Sequence, residues 1–169
     1  MSLDRLWAGW RSRYVSELAG VPESDCFLCE LCMLPGDDVY TSETLVLERT
    51  DSTLTLMNLY PYGSGHLLVA PCRHEAELDA LSEPDAGDLM AAVRRAVRAL
   101  KQAYTPDGVN LGMNLGVAAG AGVPGHLHMH ALPRWQGDTN FMTAVAEVRV
   151  LPEDLATGWA KLRAVWPEQ

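Results

Sequence analysis

Three histidines alternate with two apolar residues in His126-Leu127-His128-Met129-His130, in a chain with only five histidines. Strict alternation predicts a β-strand, because side chains on a strand change face at every residue. All three imidazoles then share one face, each about 6.6–6.8 Å from the next. Leu127, Met129 and Ala131 turn to the other face, toward the core. Such a row has three readings. It can bind a metal, since neutral imidazole is the commonest metal ligand. It can do chemistry at phosphorus, with one histidine as nucleophile and the next near the leaving group. Or it is a half-exposed strand whose polar face happens to be histidine, although packing alone does not require that concentration.

Two more stretches carry chemistry. Cys26, Cys29 and Cys32 stand at three-residue spacing, Cys26-Phe27-Leu28-Cys29 is a C-x-x-C, and Cys72 is the fourth cysteine. With no export signal in the sequence, this spacing points to metal or redox chemistry rather than a disulfide framework. Residues 115–125 are a loop of small residues leading into the histidines. Its glycines allow close backbone approach and positive φ, and consecutive N–H groups there can form an anion-binding concavity.

The elements that must position these groups follow from pattern. Leu6, Trp7, Trp10, Tyr14 and Leu18 are close to helical spacing. Residues 44–48 and 53–58 read as strands of a hairpin, and residues 34–38 as a turn. Residues 66–70 read as a buried strand ended by Pro71, and 109–114 as another strand. Residues 84–104 form the clearest helix, with Leu89, Ala92, Val93, Ala96, Val97 and Leu100 as its apolar face. Arg94, Arg95, Arg98 and Lys101 on it read as a solvated face that complements the helix dipole. Leu155, Trp159, Leu162 and Trp166 predict a last helix within 152–169. Hairpins mixed with separated helices predict an α+β domain around an antiparallel sheet.

A length of 169 residues fits a single domain spanning 1–169. The hydrophobic fraction of 48% and charged fraction of 21% are those of a soluble globular protein. A net charge of -9 and a pI of about 4.9 argue against extended binding to nucleic acid or to anionic membranes. A small anionic substrate still fits if donors concentrate in one pocket. No apolar run approaches the roughly 18–20 residues of a membrane span, and no signal peptide is visible. The expectation is a cytoplasmic protein.

The His-x-His-x-His pattern followed by two apolar residues resembles the motif of the histidine-triad (HIT) family. Asn58, Pro61, Gly65-His66-Leu67-Leu68-Val69, Pro71 and Arg73-His74 resemble the family's upstream signature, and Asn114 with Ala119-Gly120 the segment before the triad. Leu6-Trp7-Ala8-Gly9-Trp10-Arg11 and the segment 133–142 look like the bacterial branch that includes diadenosine tetraphosphate phosphorylases. The resemblance implies an antiparallel sheet of about five strands, a long helix packed on it, an N-terminal helical extension in 1–22, and a homodimer with a sheet continuous across the interface. It implies nucleotidyl transfer or hydrolysis at the α-phosphate of a dinucleoside polyphosphate. His128 is then the nucleophile, His130 assists the leaving group, and His66 supports the network from behind. Asn58 would bind the ribose; Asn114 and the backbone of Gly120, Ala121, Gly122 and Val123 would hold phosphate oxygens. In zinc-containing relatives the ligands would correspond to Cys26, Cys29, His74 and His126, a closed structural site, with Cys32 as a substitute for Cys29 and Cys72 a small buried residue. The chain departs from the family's Gln-Ser before the triad, having Ala121 and Gly122 and one extra residue. That removes side-chain recognition of the leaving group and leaves the backbone donors. Other readings are a nucleoside phosphoramidase or mononucleotide hydrolase, a histidine-row metal protein, and a slow nucleotide-binding module.

Overall fold

The computed structural model describes residues 26–37, 39–138 and 153–167. The expected helix over residues 6–18 and residues 139–142 of the segment after the triad lie outside the described residues. In chain order the elements are α1 (Phe27–Met33), β1 (Val46–Arg49), β2 (Thr53–Met57), β3 (Leu67–Pro71), α2 (Glu83–Tyr104), β4 (Gly108–Met113), β5 (Met129–Arg134) and α3 (Leu155–Arg163). The five strands form one antiparallel sheet in the order β1-β2-β3-β5-β4, so the fold is α+β as the pattern predicts.

The β1–β2 hairpin closes on a threonine. Thr50 Oγ1 accepts from the N–H groups of Ser52 and Thr53, and the Thr50 N–H donates to the Thr53 carbonyl at 2.8 Å. β2 and β3 are buried at every position because both faces of the sheet are covered. On one face Leu47, Met57, Leu67 and Val69 meet α2, whose Ala92, Ala96 and Ala99 let the helix approach closely. On the other, Val46, Leu54, Leu56, Leu68 and Ala70 meet Cys26, Leu28 and Cys29 of the α1 corner.

α2 starts where Ser82 accepts from the Asp85 N–H at 3.2 Å, with Pro84 in its first turn. It ends at Thr105, which takes a left-handed conformation with φ 45°. Its basic residues are not all solvated. Arg95 turns inward, and its Nε and Nη2 donate to the buried Glu48 carboxylate at 2.8–3.0 Å. The reason is a carboxylate on β1 that the sheet buries and that needs a partner.

α3 is shorter than predicted and is capped by Asp154, which accepts from Thr157 N–H at 2.8 Å. It covers the β1 edge. Register slips in β1 between Val46 and Glu48; Trp159 Nε1 donates to the Val46 carbonyl at 2.8 Å and Arg163 Nη1 to that of Leu47 at 2.9 Å. Glu153, just before it, accepts from the Tyr104 hydroxyl and from Lys161. The Tyr104 ring packs so closely on Gly65, at φ +71°, that a Cβ there would come within 2.8 Å of it.

The histidine strand differs from its prediction. Pairing begins only at Met129, because His126 N–H turns back to the Val123 carbonyl and Leu127 N–H goes to that of Glu75. Alternation nonetheless holds: Leu127, Met129 and Ala131 join the core on the α2 side, and the histidines take the opposite face. That face is buried at its start, with His126 at 1% and His128 at 4% of full exposure, and partly exposed from His130 onward.

Candidate active site and metal centre

Four potential ligands meet where α1 faces the ends of β3 and β5. Cys26 is the residue before α1 and Cys29 lies in its first turn, so C-x-x-C puts both thiols on one side of the helix. Cys26 Sγ is 3.3 Å from His126 Nδ1, and Cys29 Sγ is 3.4 Å from it and 3.2 Å from His74 Nδ1. The four ligand atoms all lie within 4.8 Å of one another. Zn–S of about 2.3 Å and Zn–N of about 2.0–2.1 Å in a tetrahedron require S···N edges near 3.6 Å, so this set fits zinc. The backbone prepares the ligand as well. His126 Nε2 is 2.7 Å from the Pro71 carbonyl, which can only accept. The proton is therefore on Nε2, and the Nδ1 lone pair faces the thiols. Burial pushes the His126 pKa down, reinforced by His74 and His128, against the opposing Pro71 bond. Cys32 is not among the four.

The same logic fixes His128. Its Nδ1 is 2.8 Å from the His126 carbonyl, so Nδ1 carries the proton and Nε2 keeps a free electron pair. Burial lowers its pKa, and the bond to His126 opposes this. His128 is thus held as a neutral base in one tautomer.

His130 is set from the opposite direction. The Tyr62 backbone N–H, which can only donate, points to His66 Nδ1 at 3.0 Å. His66 is fully buried, so its proton sits on Nε2 and is donated to His130 Nδ1 at 3.0 Å. His130 then carries its proton on Nε2; Asn114 Nδ2, itself only a donor, stands 3.5 Å away and is directed to the Gly120 carbonyl instead. The His128 and His130 rings are 5.0 Å apart and nearly perpendicular. An electron pair and an N–H donor therefore stand side by side.

Both rings open onto a cleft of about 760 Å³. Phe27, Leu31, Leu45, Leu56 and Leu59 give it apolar walls, and Asn58, Gly120, Gly122 and Val123 stand at its polar end with the histidines. Apolar walls and a few convergent polar groups are what a small-molecule site requires. Asn58 also accepts from the Tyr60 N–H at 3.0 Å, closing the turn after β2. Asn114 donates to the Gly120 carbonyl at 3.4 Å and so ties the loop to the histidines. Ala121 is a buried residue of the loop itself, and His66 lies behind His130. The apolar walls are absent from the sequence reading. Phe27 and Leu31, four residues apart and flanking the cysteines, were the available signal; Leu45, Leu56 and Leu59 look like ordinary strand residues.

The three histidines do not converge on one point. Among the described residues, the cysteine–histidine corner is the one cluster of three or more groups that fits a metal. A buried cluster of four potential metal ligands beside two histidines of opposite tautomer, on a cleft of about 760 Å³, fits a small-molecule enzyme of the α+β class. The HIT domain family model matches residues 41–137, and the chain belongs to the HIT family. It is 37% identical over 169 residues to the AP-4-A phosphorylase of Mycobacterium tuberculosis, covering 94% of this chain and 86% of that one. It is 34% identical over 93 residues to an asymmetrical bis(5'-nucleosyl)-tetraphosphatase of Schizosaccharomyces pombe, covering 55% of this chain and 50% of that one. Among solved structures, it resembles a zinc-bound histidine triad family protein from Mycobacterium smegmatis with TM-score 0.65 and 26% identity, covering 85% and 94% of the two chains.

Proposed function

We propose that the chain is a nucleotidyl-transferring enzyme that attacks the α-phosphate of a dinucleoside polyphosphate. The observation that carries this is the matched tautomers: His128 Nε2 offers an electron pair beside the N–H that His130 Nε2 offers. The likeness to the M. tuberculosis AP-4-A phosphorylase over most of the chain supports the substrate class.

The reaction runs in two displacements. His128 Nε2 forms a bond to the α-phosphorus, and the bridging P–O bond breaks with its electrons going to the leaving oxygen. The His130 N–H steadies the charge that develops there. In the second step phosphate or water attacks the phosphorus, the P–N bond breaks and its electrons return to His128. Phosphate as acceptor gives a phosphorylase; water gives a hydrolase. Asn58 faces the ribose hydroxyls, and Asn114 with the backbone of residues 120–123 holds phosphate oxygens. Zinc at Cys26, Cys29, His74 and His126 carries no step. It anchors His126, whose carbonyl fixes His128. Elemental analysis tests this: one zinc per chain is expected, lost in Cys29→Ser and kept in Cys32→Ser.

The working unit we propose is a homodimer joined through β4, whose outer edge pairs with no other described strand. A cytoplasmic setting, which keeps the C-x-x-C thiols reduced, suits the metal centre. No described helix is long and apolar enough to cross a membrane.

The test is product identification from diadenosine tetraphosphate with and without phosphate. ADP plus ATP formed only with phosphate is the phosphorylase outcome, and AMP plus ATP in water alone is the hydrolase outcome. No product from an intact fold that binds the nucleotide overturns the proposal and favours a phosphoramidase, tested with an adenosine phosphoramidate.

A further inference from the structure

A second cavity, of about 420 Å³, lies between α2 and the β1–β2 hairpin and shares no described lining residue with the cleft. Arg94, Arg95 and Arg98 line it from the helix, and Thr50, Ser52 and Thr53 from the hairpin. It is on the other side of the sheet from the histidines. Leu54 and Leu56 of β2 face α1 while Met57 joins the α2 core, so alternation puts Thr53 on the α2 face. Three of the chain's 13 lysines and arginines meet here, in a protein of net charge -9. Among the described residues, Arg94 and Arg98 have no ion-pair partner. They stand at i and i+4 on α2, so their side chains are neighbours. Arg95 commits Nε and Nη2 to Glu48 and leaves Nη1 with no acceptor among the described residues. The hairpin adds hydroxyl donors. Thr50 Oγ1 already accepts from two N–H groups, so its own proton goes to Thr53 Oγ1 at 2.9 Å, and the Thr53 proton is left for another acceptor. Asp88 is the one carboxylate among the described lining residues. With Arg95 matched to Glu48, Arg94 and Arg98 outweigh it.

We propose that this cavity binds the phosphate chain of a polyphosphate anion, at a site separate from the substrate cleft. Planar guanidinium forks match phosphate oxygens in bidentate fashion, and two of them on adjacent turns of one helix can engage the same chain. The volume falls within the roughly 300–1,000 Å³ of small-molecule pockets. The walls decide between a phosphate chain and a whole nucleotide. Ala91 is the one apolar residue among the described lining residues, and none of them is aromatic, so a base finds no stacking surface. The cleft beside the histidines is the reverse, with Phe27, Leu31 and Leu56 in its walls. The second site therefore recognises the phosphate chain itself, whether inorganic or the tail of a nucleoside triphosphate.

The experiment titrates the zinc-loaded full chain with inorganic tripolyphosphate and follows backbone amide resonances, with sodium sulfate at matched ionic strength as control. Residues 50–53 and 91–98 should shift saturably with tripolyphosphate and not with sulfate. Arg94→Ala combined with Arg98→Ala should weaken that response at least tenfold with the melting temperature held. Lys101→Ala, on the same helix but outside the cavity, should leave it unchanged. ATP should act on residues 50–53 with the affinity of tripolyphosphate, since the base has no surface to meet. Three results overturn the proposal: shifts confined to the cleft loop at 120–123, an equal response to sulfate, or an equal loss in Lys101→Ala, which would mean general charge attraction. ATP binding at residues 50–53 tenfold or more tighter than tripolyphosphate overturns recognition of the phosphate chain alone. Shifts at 120–123 report the cleft independently and need no turnover, so failure here is separate from failure of the nucleotidyl-transfer reading.

Discussion

His128 and His130 are the same side chain put to opposite uses, and the backbone makes the difference. A carbonyl at His128 Nδ1 leaves an electron pair at Nε2, which the proposed reaction uses as nucleophile; a relayed N–H at His130 Nδ1 leaves a donor. His128→Ala should therefore lower kcat by about 10⁴-fold or more, as loss of a nucleophile does elsewhere. Its zinc content and melting temperature should change little; survival of activity would remove the mechanism. The pH profile follows from burial. Desolvation lowers the His128 pKa below its ordinary 6.5, so protonation is delayed as pH falls. The acid limb of kcat/KM should lie below pH 6.5, and a limb at or above that value contradicts a buried neutral nucleophile. The sign for stability is the same. The unfolded chain takes up the proton first, so the folded state keeps its full stability above about pH 6.5 and loses part of it as pH falls toward the lower folded value.

At the scale of elements, two arginines do what the helix patterns do not announce. Arg95 neutralises Glu48, which is 4% exposed, so Arg95→Leu leaves an unpaired buried carboxylate. Thermal or urea unfolding should show a loss of about 3–5 kcal/mol, against less than about 0.5 kcal/mol for the exposed Arg94→Ala. Arg49 reaches the carbonyls of Leu31, Cys32, Leu34 and Gly36 and closes the end of α1, a helix of only 7 residues. Arg49→Ala should weaken zinc retention against a chelator and raise KM several-fold, with kcat nearly unchanged because His128 is untouched. Neither role is legible in the sequence, where Arg49 falls between the two hairpin strands and Arg95 among other basic residues. What is legible has local causes. The hairpin, the long helix and the sheet type follow from alternation, helical spacing and turn residues, and the histidine and cysteine spacings bring out most of the polar site. The start of β5 is not legible, because the His126 N–H turns back to Val123 and the Leu127 N–H goes to Glu75, a residue far away in the chain. The cleft walls escape for the same reason: Phe27, Leu45 and Leu59 become neighbours only when α1 docks.

At the scale of the molecule, the two edges of the sheet are treated differently. β1 is covered, since α3 takes up the carbonyls of Val46 and Leu47 through Trp159 and Arg163. β4 pairs with β5 on one side and with no other described strand. Four of its six residues are exposed, and Leu111 keeps 49% of its surface in water. An uncovered strand of this length with an apolar outer residue is a template for another strand, and natural proteins blunt such edges unless they are used. β4 carries no proline, lysine or bulge that would blunt it. A second copy related by a two-fold axis would pair antiparallel with it and extend the sheet across both chains. Light scattering should then report twice the 18.5 kDa of one chain. Leu111→Lys puts a charge at the centre of that seam and should shift the mass toward 18.5 kDa at micromolar concentration while the zinc content holds. A wild-type mass of one chain at the concentrations used for turnover would mean that β4 is closed by something other than its own copy.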